Sequence, residues 1–106
     1  MGKKEIEIMN PLKNFMEKVR KIINVERFIL FGSRATGKAK ENSDIDLIIV
    51  SRDFEDIKFY KRSPKLYLLW DAPYDIDIIC LTPEELNKKK KEIGIMRDAM
   101  KQGVEL

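Results

Sequence analysis

Hydrophobic residues follow a helical spacing in the first part of the chain. Asn10 and Pro11 are typical of a helix start, as the N-cap and the first helical residue. The apolar residues that follow fall on one helical face: Leu12, Phe15, Met16, Val19, Ile22 and Ile23. The pattern therefore predicts an amphipathic helix that begins at about residue 10 and buries this face.

Three later apolar runs predict strands. Residues 27–31 form a short apolar run that ends at Gly32, residues 45–50 are apolar on both faces, and residues 74–81 form a third run. A strand that is apolar on both faces suits the centre of a sheet covered by helices. We therefore expect a small α/β (α+β) domain, with a mixed sheet of three or more strands and flanking helices.

Turn and capping residues predict helices between and after these strands. Residues 54–70 have a mostly helical pattern, which a Ser-Pro pair at residues 63–64 interrupts because proline cannot continue a helix. The Thr-Pro-Glu-Glu sequence at residues 82–85 is a capping box and predicts a further helix start. Shorter helices are expected over residues 33–39 and 95–101.

Candidate chemistry concentrates at the ends of the first two strands. Gly32 and Ser33 form a turn after the first strand, and the backbone amides of such a turn can hold phosphate. Ten residues separate Ser33 from Asp44, which lies two positions before Asp46. Strand side chains alternate, so both carboxylates project from one face. Their mutual repulsion calls for a cation, and Mg²⁺ prefers oxygen ligands of this kind.

A structural role explains part of this pattern but not all of it. Glycine turns and serine caps often start helices, and Asp44 fits a surface turn with residues 42–43. Asp46, however, is flanked by Ile45 and Leu47 inside a predicted strand. A carboxylate in that position is costly unless its charge is compensated. The pattern as a whole therefore favours a metal site.

These motifs occur in a recognisable order. The sequence Gly-Ser, ten residues, Asp-x-Asp and an acid on a later strand resembles the DNA polymerase β-like nucleotidyltransferases, and most closely their small, single-domain branch, the minimal nucleotidyltransferases. The match runs over about residues 25–81. The resemblance implies the polymerase β-like nucleotidyltransferase fold, with residues 1–106 as one minimal nucleotidyltransferase domain.

The resemblance also implies the metal ligands. Asp44 and Asp46 would be catalytic and metal-binding, together with one acid on the third strand. Asp75 and Asp77 share a face of that strand, and either could reach the metal. The family pattern places the acid just before paired aliphatics, which matches Asp77 followed by residues 78–79, so Asp77 is the prediction and Asp75 the fallback. Two Mg²⁺ ions, with Mn²⁺ as a substitute, would be held about 3.5–4 Å apart.

By the same resemblance, the nucleotide would lie against the first turn. Gly32, Ser33 and Arg34 would be nucleotide-binding, the first two through amides and a hydroxyl and Arg34 through its guanidinium fork. Relatives often carry a second basic residue where Thr36 stands, and Lys38 is a candidate for that role.

The implied reaction is Mg²⁺-dependent transfer of a nucleoside monophosphate, AMP from ATP, to a hydroxyl group. Minimal nucleotidyltransferases resemble the antitoxin half of bacterial and archaeal pairs, whose partner is a helical HEPN-type ribonuclease. That resemblance places the acceptor hydroxyl on a tyrosine of the toxin. Two alternatives stay open: a non-catalytic antitoxin that neutralises its partner by forming a complex, and a stand-alone enzyme that acts on a small molecule or an RNA end.

Composition excludes other chemistries. The chain has no histidine, which removes Ser-His-Asp hydrolysis and ordinary zinc sites, and its one cysteine, Cys80, lies in an apolar run and is expected to be buried. No apolar run approaches the roughly 20 residues of a membrane span. We therefore expect a cytoplasmic protein that contacts no membrane, with its oligomeric state left open.

The net charge of +3 does not by itself indicate a nucleic-acid partner. Lysines at residues 88–91 read as the solvated side of a helix, because no aromatic residues interleave with them. The basic residues Lys58, Lys61, Arg62 and Lys65 are interpreted in the same way. The apolar and aromatic residues at 66–74 are expected to be mostly core, with one or two exposed for a partner.

Overall fold

Four strands form one mixed sheet in the computed structural model, which describes residues 3–31, 45–91 and 104–106. They are β1 (Arg27–Phe31), β2 (Ile45–Val50), β3 (Ile76–Leu81) and β4 (Val104–Glu105). Their spatial order is β3-β2-β1-β4; β1 is antiparallel to both β2 and β4, and β2 is parallel to β3. The expected mixed sheet of three or more strands is therefore present.

The described helices are α1 (Lys3–Arg20), a 3-10 turn (Arg52–Phe54), α2 (Phe59–Arg62), α3 (Pro64–Tyr67) and α4 (Pro83–Lys91). The 3-10 turn, α2 and α3 all lie in the connection between β2 and β3. Parallel strands need such a crossover, because the chain must return to the same end of the sheet before the second strand begins.

Alternating side chains of the strands bury both faces of the sheet. On one face, Ile45, Leu47 and Ile49 of β2 belong to a core cluster that also contains Leu12 and Phe15 of α1. The other face carries a smaller cluster, in which Leu86 of α4 accompanies strand residues: Ile29, Ile48, Val50 and Leu81. The period of two along β2 thus divides its side chains between two cores. This explains why the strand is apolar on both faces, and the central position predicted for it is confirmed.

Strand bounds agree closely with the sequence pattern. The first two strands have the predicted bounds, while β3 begins at Ile76, two residues later than expected. β4 was not predicted at all. The helices expected over residues 33–39 and 95–101 lie outside the described residues.

The prediction that the first helix begins at Asn10 is wrong. α1 begins at Lys3 and contains Pro11 in its interior. Residues 3–9 are mostly Lys, Glu, Ile and Met, which favour or tolerate helix, whereas an interior proline removes one backbone hydrogen bond. The helix ends at Arg20, so Ile22 leaves the apolar face and is 50% exposed instead of buried.

The crossover is less helical than its pattern predicts. Glu55 has non-helical backbone after the 3-10 turn, with φ of −59° and ψ of 143°. Asp56 has a φ of 65°, in the left-handed region that aspartate tolerates better than most residues. The predicted break at residues 63–64 is confirmed, because α2 ends at Arg62 and α3 begins at Pro64. Two four-residue helices therefore replace one long interrupted helix.

The predicted capping box starts α4. The backbone N–H of Thr82 donates to Glu85 Oε1 at 2.8 Å, and the N–H of Glu85 donates to Thr82 Oγ1 at 3.2 Å. Pro83 occupies the first helical position, where its missing N–H costs nothing. The reciprocal bonds satisfy two backbone donors that a helix start otherwise leaves without partners.

Candidate functional site

The predicted site residues divide between described and undescribed parts of the chain. Asp46 lies on β2 and Asp77 on β3. Gly32, Ser33, Arg34 and Asp44 lie outside the described residues, as do Thr36 and Lys38. Two strand acids and the strand that leads into the Gly-Ser turn therefore define the described geometry of the site.

Asp46 and Asp77 are direct partners across the parallel ladder between β2 and β3. Neighbouring strands lie about 4.8 Å apart, and residues in register present their side chains on the same face. The two carboxylates, separated by thirty positions in sequence, are thus brought side by side. Asp46 is half-buried and Asp77 is exposed, so the pair faces solvent on one side.

The first strand meets this pair from the other side. Phe31, the last residue of β1, is the antiparallel partner of Asp46. Gly32 follows Phe31 directly in the chain. β1 therefore ends beside Asp46, and the Gly-Ser motif, which lies outside the described residues, is next in the sequence.

An apolar floor lies next to the acids on the same face. Ile48 and Val50 follow Asp46 at strand spacing, and they pack with Leu81 and Leu86 in the smaller core cluster. The acids occupy the end of this face where β2 and β3 begin. The two acids and the smaller apolar core therefore occupy different ends of the same sheet face.

Asp75 takes part in the same end of the sheet through its backbone. Its carbonyl accepts a hydrogen bond from the N–H of Ile45 at 2.8 Å, which joins the starts of β2 and β3. Its side chain is exposed and precedes the strand, whereas Asp77 lies in register with Asp46. This register supports the choice of Asp77 over Asp75, and the choice stays a prediction.

Within the described ranges, no group of three or more His, Cys, Asp or Glu side chains is placed to hold a metal ion. Asp46 and Asp77 are two of the three predicted ligands, and Asp44 lies outside those ranges. The donor chemistry of the pair nevertheless fits Mg²⁺, because adjacent carboxylates offer the hard oxygen ligands that this ion takes.

Arg62 is buried. The sequence pattern predicts a solvated side chain at this position, and that prediction is wrong. Its side chain donates to the carbonyl oxygens of Ile57 at 2.9 Å and Cys80 at 3.1 Å and forms an ion pair with Glu85. The residue is only 6% exposed. No local signal distinguishes it from Lys61, because two of its three partners, Cys80 and Glu85, lie 18 and 23 residues away in sequence.

Two titratable groups near Arg62 are shifted. Burial alone would raise the pKa of Glu85, but hydrogen bonds from Arg62 and Thr82 outweigh it and lower that pKa below its usual range. Desolvation by burial raises the pKa of the Cys80 thiol to about 12. Cys80 is therefore an inert thiol in the core, as its apolar neighbours predicted.

Tyr67 is a second residue whose role the sequence does not predict. Its hydroxyl accepts a hydrogen bond from the N–H of Ile78 at 2.9 Å. Ile78 follows Asp77 directly, so α3 is fixed against β3 next to the acid pair. The nearby indole of Trp70 donates to the carbonyl of Tyr74 at 2.7 Å and secures the start of β3.

Among the described residues, no helix is long and apolar enough to cross a membrane.

The family comparison identifies the class of protein as a nucleotidyltransferase. The chain belongs to the nucleotidyltransferase domain family, whose model matches residues 12–72. This range contains the Gly-Ser motif and the Asp-x-Asp motif and ends just before the strand that carries Asp77. The expectation that the chain is an enzyme of the nucleotidyltransferase class is thereby confirmed.

Two relatives share most of their length with this chain. One, from Methanocaldococcus jannaschii, is provisionally named protein adenylyltransferase MJ0141 and is 28% identical over 95% of this chain and all of its own. The other, from Haemophilus influenzae, is provisionally named protein adenylyltransferase MntA. It is 30% identical over 71% of this chain and 68% of its own.

Solved structures share the fold. A structure from Sulfolobus solfataricus, provisionally named a nucleotidyltransferase, superposes with a TM-score of 0.68 at 27% identity, covering 83% of this chain and 82% of its own. A chain of a toxin–antitoxin crystal structure with AMP-PNP superposes with a TM-score of 0.55 at 22% identity, covering 91% of this chain and 69% of its own. The predicted fold class is therefore confirmed.

Proposed function

We propose that this chain is a Mg²⁺-dependent protein adenylyltransferase, which transfers AMP from ATP to a hydroxyl on a partner protein. Both named relatives are called protein adenylyltransferases, and both align over more than two thirds of this chain. The proposal takes residues 1–106 as one catalytic domain and, because the reaction consumes ATP, locates it in the cytoplasm.

The observation that carries the proposal is the register of Asp46 with Asp77 across two parallel strands. Two carboxylates in direct register gain nothing from each other and repel instead. A bound cation would remove this repulsion, and the pair would then serve as metal ligands.

The proposed site residues have two roles, metal binding and phosphate binding. Asp46 and Asp77, with Asp44, would hold Mg²⁺, while Gly32, Ser33 and Arg34 would bind the phosphates. Bound Mg²⁺ would neutralise the triphosphate and activate the acceptor hydroxyl.

The acceptor oxygen would form a bond to the α-phosphorus as the bond from that phosphorus to the bridging oxygen breaks. Pyrophosphate would leave and the hydroxyl proton would pass to solvent. In-line geometry is the main requirement, because this chemistry depends on positioning and charge compensation.

For the acceptor, we propose a HEPN-type toxin, so that the chain acts as an antitoxin. The hypothesis comes from the resemblance to minimal nucleotidyltransferases. The fold shared with a chain from a toxin–antitoxin structure motivates a toxin as the first acceptor to test.

The experiment combines purified chain, ATP and Mg²⁺ with the protein encoded by the adjacent gene. Intact-mass spectrometry should show one added AMP on a tyrosine, serine or threonine of that protein. Neutralisation of the partner by an Asp44→Ala, Asp46→Ala variant would favour the non-catalytic antitoxin. Transfer to an RNA end or a small molecule without the partner would favour the stand-alone enzyme.

A further inference from the structure

Exposed apolar side chains concentrate on the crossover between β2 and β3. Among the described residues, four of the five large hydrophobic side chains that are exposed lie within residues 59–68, and Ile22 is the fifth. Leu68 is 85% exposed, Tyr60 66% and Phe59 57%. Single exposed apolar residues are ordinary, but a local concentration marks a contact surface.

Lysines lie among these side chains, and the exposed acids Glu55, Asp56 and Asp71 flank the segment. Lys58, Lys61 and Lys65 are all exposed, and residues 57–70 contain no aspartate or glutamate. The guanidinium of Arg62 is buried and paired with Glu85, so the surface charge comes from the lysines. We call Phe59, Tyr60 and Leu68 with these three lysines the crossover patch.

The crossover patch is fixed to the strand that carries Asp77. α2 and α3 contact one another. The Tyr67 hydroxyl bonds to the backbone of Ile78, one residue beyond Asp77, while Leu68 follows Tyr67 directly. β3 is an outer strand of the described sheet. Leu66 of α3 packs in the larger core, on the face opposite Asp77, so a molecule seated on the patch would reach the acids around the outer edge of β3.

We propose that the crossover patch is the docking surface for the protein acceptor, whose own contact surface is apolar and bordered by carboxylates. This inference rests on the proposed function, which requires a protein to present its hydroxyl near Asp77. Aromatic and aliphatic side chains supply the buried centre of such an interface, and the lysines form a polar rim that steers an acidic partner.

A protein occupant fits the patch better than a nucleic acid. Leu68 is its most exposed member and, unlike Phe59 and Tyr60, offers no π-face on which a base can stack. An exposed leucine side chain instead gains free energy when a complex buries it against an apolar protein surface. Binding of RNA is therefore an outcome that the experiment must be able to detect.

The experiment measures binding and AMP transfer with the protein encoded by the adjacent gene. Two double variants alter the patch: Tyr60→Ser with Leu68→Ser removes apolar area, and Lys61→Glu with Lys65→Glu reverses charge. The matched controls are Ile22→Ser and Lys13→Glu, because both residues are exposed and neither belongs to residues 58–68. Melting temperature and stabilisation by Mg²⁺ with ATP check folding and the nucleotide site in every variant.

Both patch variants should raise the dissociation constant, and the KM for the acceptor, by about tenfold or more, the size of effect that one hot-spot residue produces. Their kcat at saturating acceptor and their response to Mg²⁺ with ATP should match the wild type. Binding by the wild type should weaken as salt is added, because the rim is ionic. The control variants should bind normally.

Wild-type affinity in both patch variants, or no complex with the wild-type chain, would overturn the docking inference. So would a single-stranded RNA that binds the wild type and not the patch variants, or a wild-type dimer that these variants dissociate. If the complex forms and the patch variants weaken it, but the wild type transfers no AMP, the docking surface stands and the proposed function fails.

Discussion

At the scale of single residues, the acid pair is the feature that most needs an explanation. Asp46 is half-buried at the start of a central strand, and its partner in register is another carboxylate. Charge compensation by the proposed metal would explain both the position and the pairing. Asp75 is exposed and lies two residues before Asp77, so substitution of Asp75 is a matched control for substitution of Asp77.

We predict that Asp77→Asn reduces AMP transfer at least about a hundredfold, while Asp75→Asn keeps near-wild-type activity. Loss of one metal-ligating carboxylate removes charge where the reaction needs it, at a cost of several kcal/mol. Initial rates of transfer measure both variants, and unchanged melting temperatures show that both are folded. The reverse result, an inactive Asp75→Asn and an active Asp77→Asn, would identify Asp75 as the ligand.

Arg62 is the residue whose removal should most disturb the crossover. We predict that Arg62→Met lowers the free energy of unfolding by about 1–3 kcal/mol, because the buried carbonyl of Cys80 loses its donor. Urea denaturation measures the effect. Lys61→Met is the matched control, since Lys61 is exposed, and it should change stability little. Equal stability of the two variants would refute the structural role of Arg62.

Residue-level prediction depends on how much information the neighbours in sequence carry. Asp46 was conspicuous because Ile45 and Leu47 flank it within an apolar run. Arg62 was not, because its burial depends on Cys80 and Glu85, which lie 18 and 23 residues away. Only the folded crossover reveals that this arginine differs from the lysines around it.

At the scale of elements, the crossover helices protect the outer edge of β3. The N–H of Ile78 reaches the Tyr67 hydroxyl, and the carbonyl of Cys80 accepts from Arg62. An edge strand with unpaired backbone groups invites pairing with other chains, and side chains that bind these groups reduce that risk. Glu85 joins the same network to the start of α4.

The capping box gives this network a pH dependence. Hydrogen bonds from Arg62 and Thr82 lower the pKa of Glu85, so its stabilising contribution is complete above the ordinary glutamate pKa of about 4.5 and is lost as pH falls through the lower folded value. We predict that wild type exceeds Glu85→Gln in stability at pH 7 and that the difference shrinks below about pH 4.5.

Urea denaturation of both proteins between pH 3 and pH 7 measures the difference. Glu84→Gln is the control, because Glu84 is exposed on the same first turn of α4 and should show no comparable trend. A difference between wild type and Glu85→Gln that stays constant or grows as the pH falls would contradict the assigned interaction.

Elements were predictable to the extent that their signals are local. The capping box needs four consecutive residues, and its reciprocal bonds are present as predicted. β4 has two residues and pairs with β1 across more than seventy positions, so no local pattern reveals it. The start of α1 was misjudged because Pro11 is also typical of a first helical turn, a position that it does not occupy in this helix.

At the scale of the whole molecule, the parallel crossover creates the site. It returns the chain to the end of the sheet where β2 begins, and the register then sets Asp77 beside Asp46. The resemblance to minimal nucleotidyltransferases implied a third-strand acid in this role, but the register itself follows from long-range pairing that periodicity cannot give.

We predict that Mg²⁺ with ATP stabilises the wild-type protein, by about 2.7 kcal/mol when the free ligand is at 100 times its dissociation constant. The bound cation relieves the repulsion between the acids. Thermal unfolding with and without the ligands measures the gain, and Asp46→Asn should lose most of it. An unchanged melting temperature with Mg²⁺ or Mn²⁺ and each of the four nucleoside triphosphates would contradict a nucleotide site.

The most direct test of adenylyl transfer follows the phosphorus atoms of ATP. ATP labelled at the α-phosphorus or at the γ-phosphorus is incubated with Mg²⁺, the chain and the protein encoded by the adjacent gene, and label on the acceptor is measured. The proposed function predicts that the α-label enters the acceptor, that the γ-label leaves with pyrophosphate, and that Asp46→Asn transfers neither. Incorporation of the γ-label, or full transfer by Asp46→Asn, would contradict it.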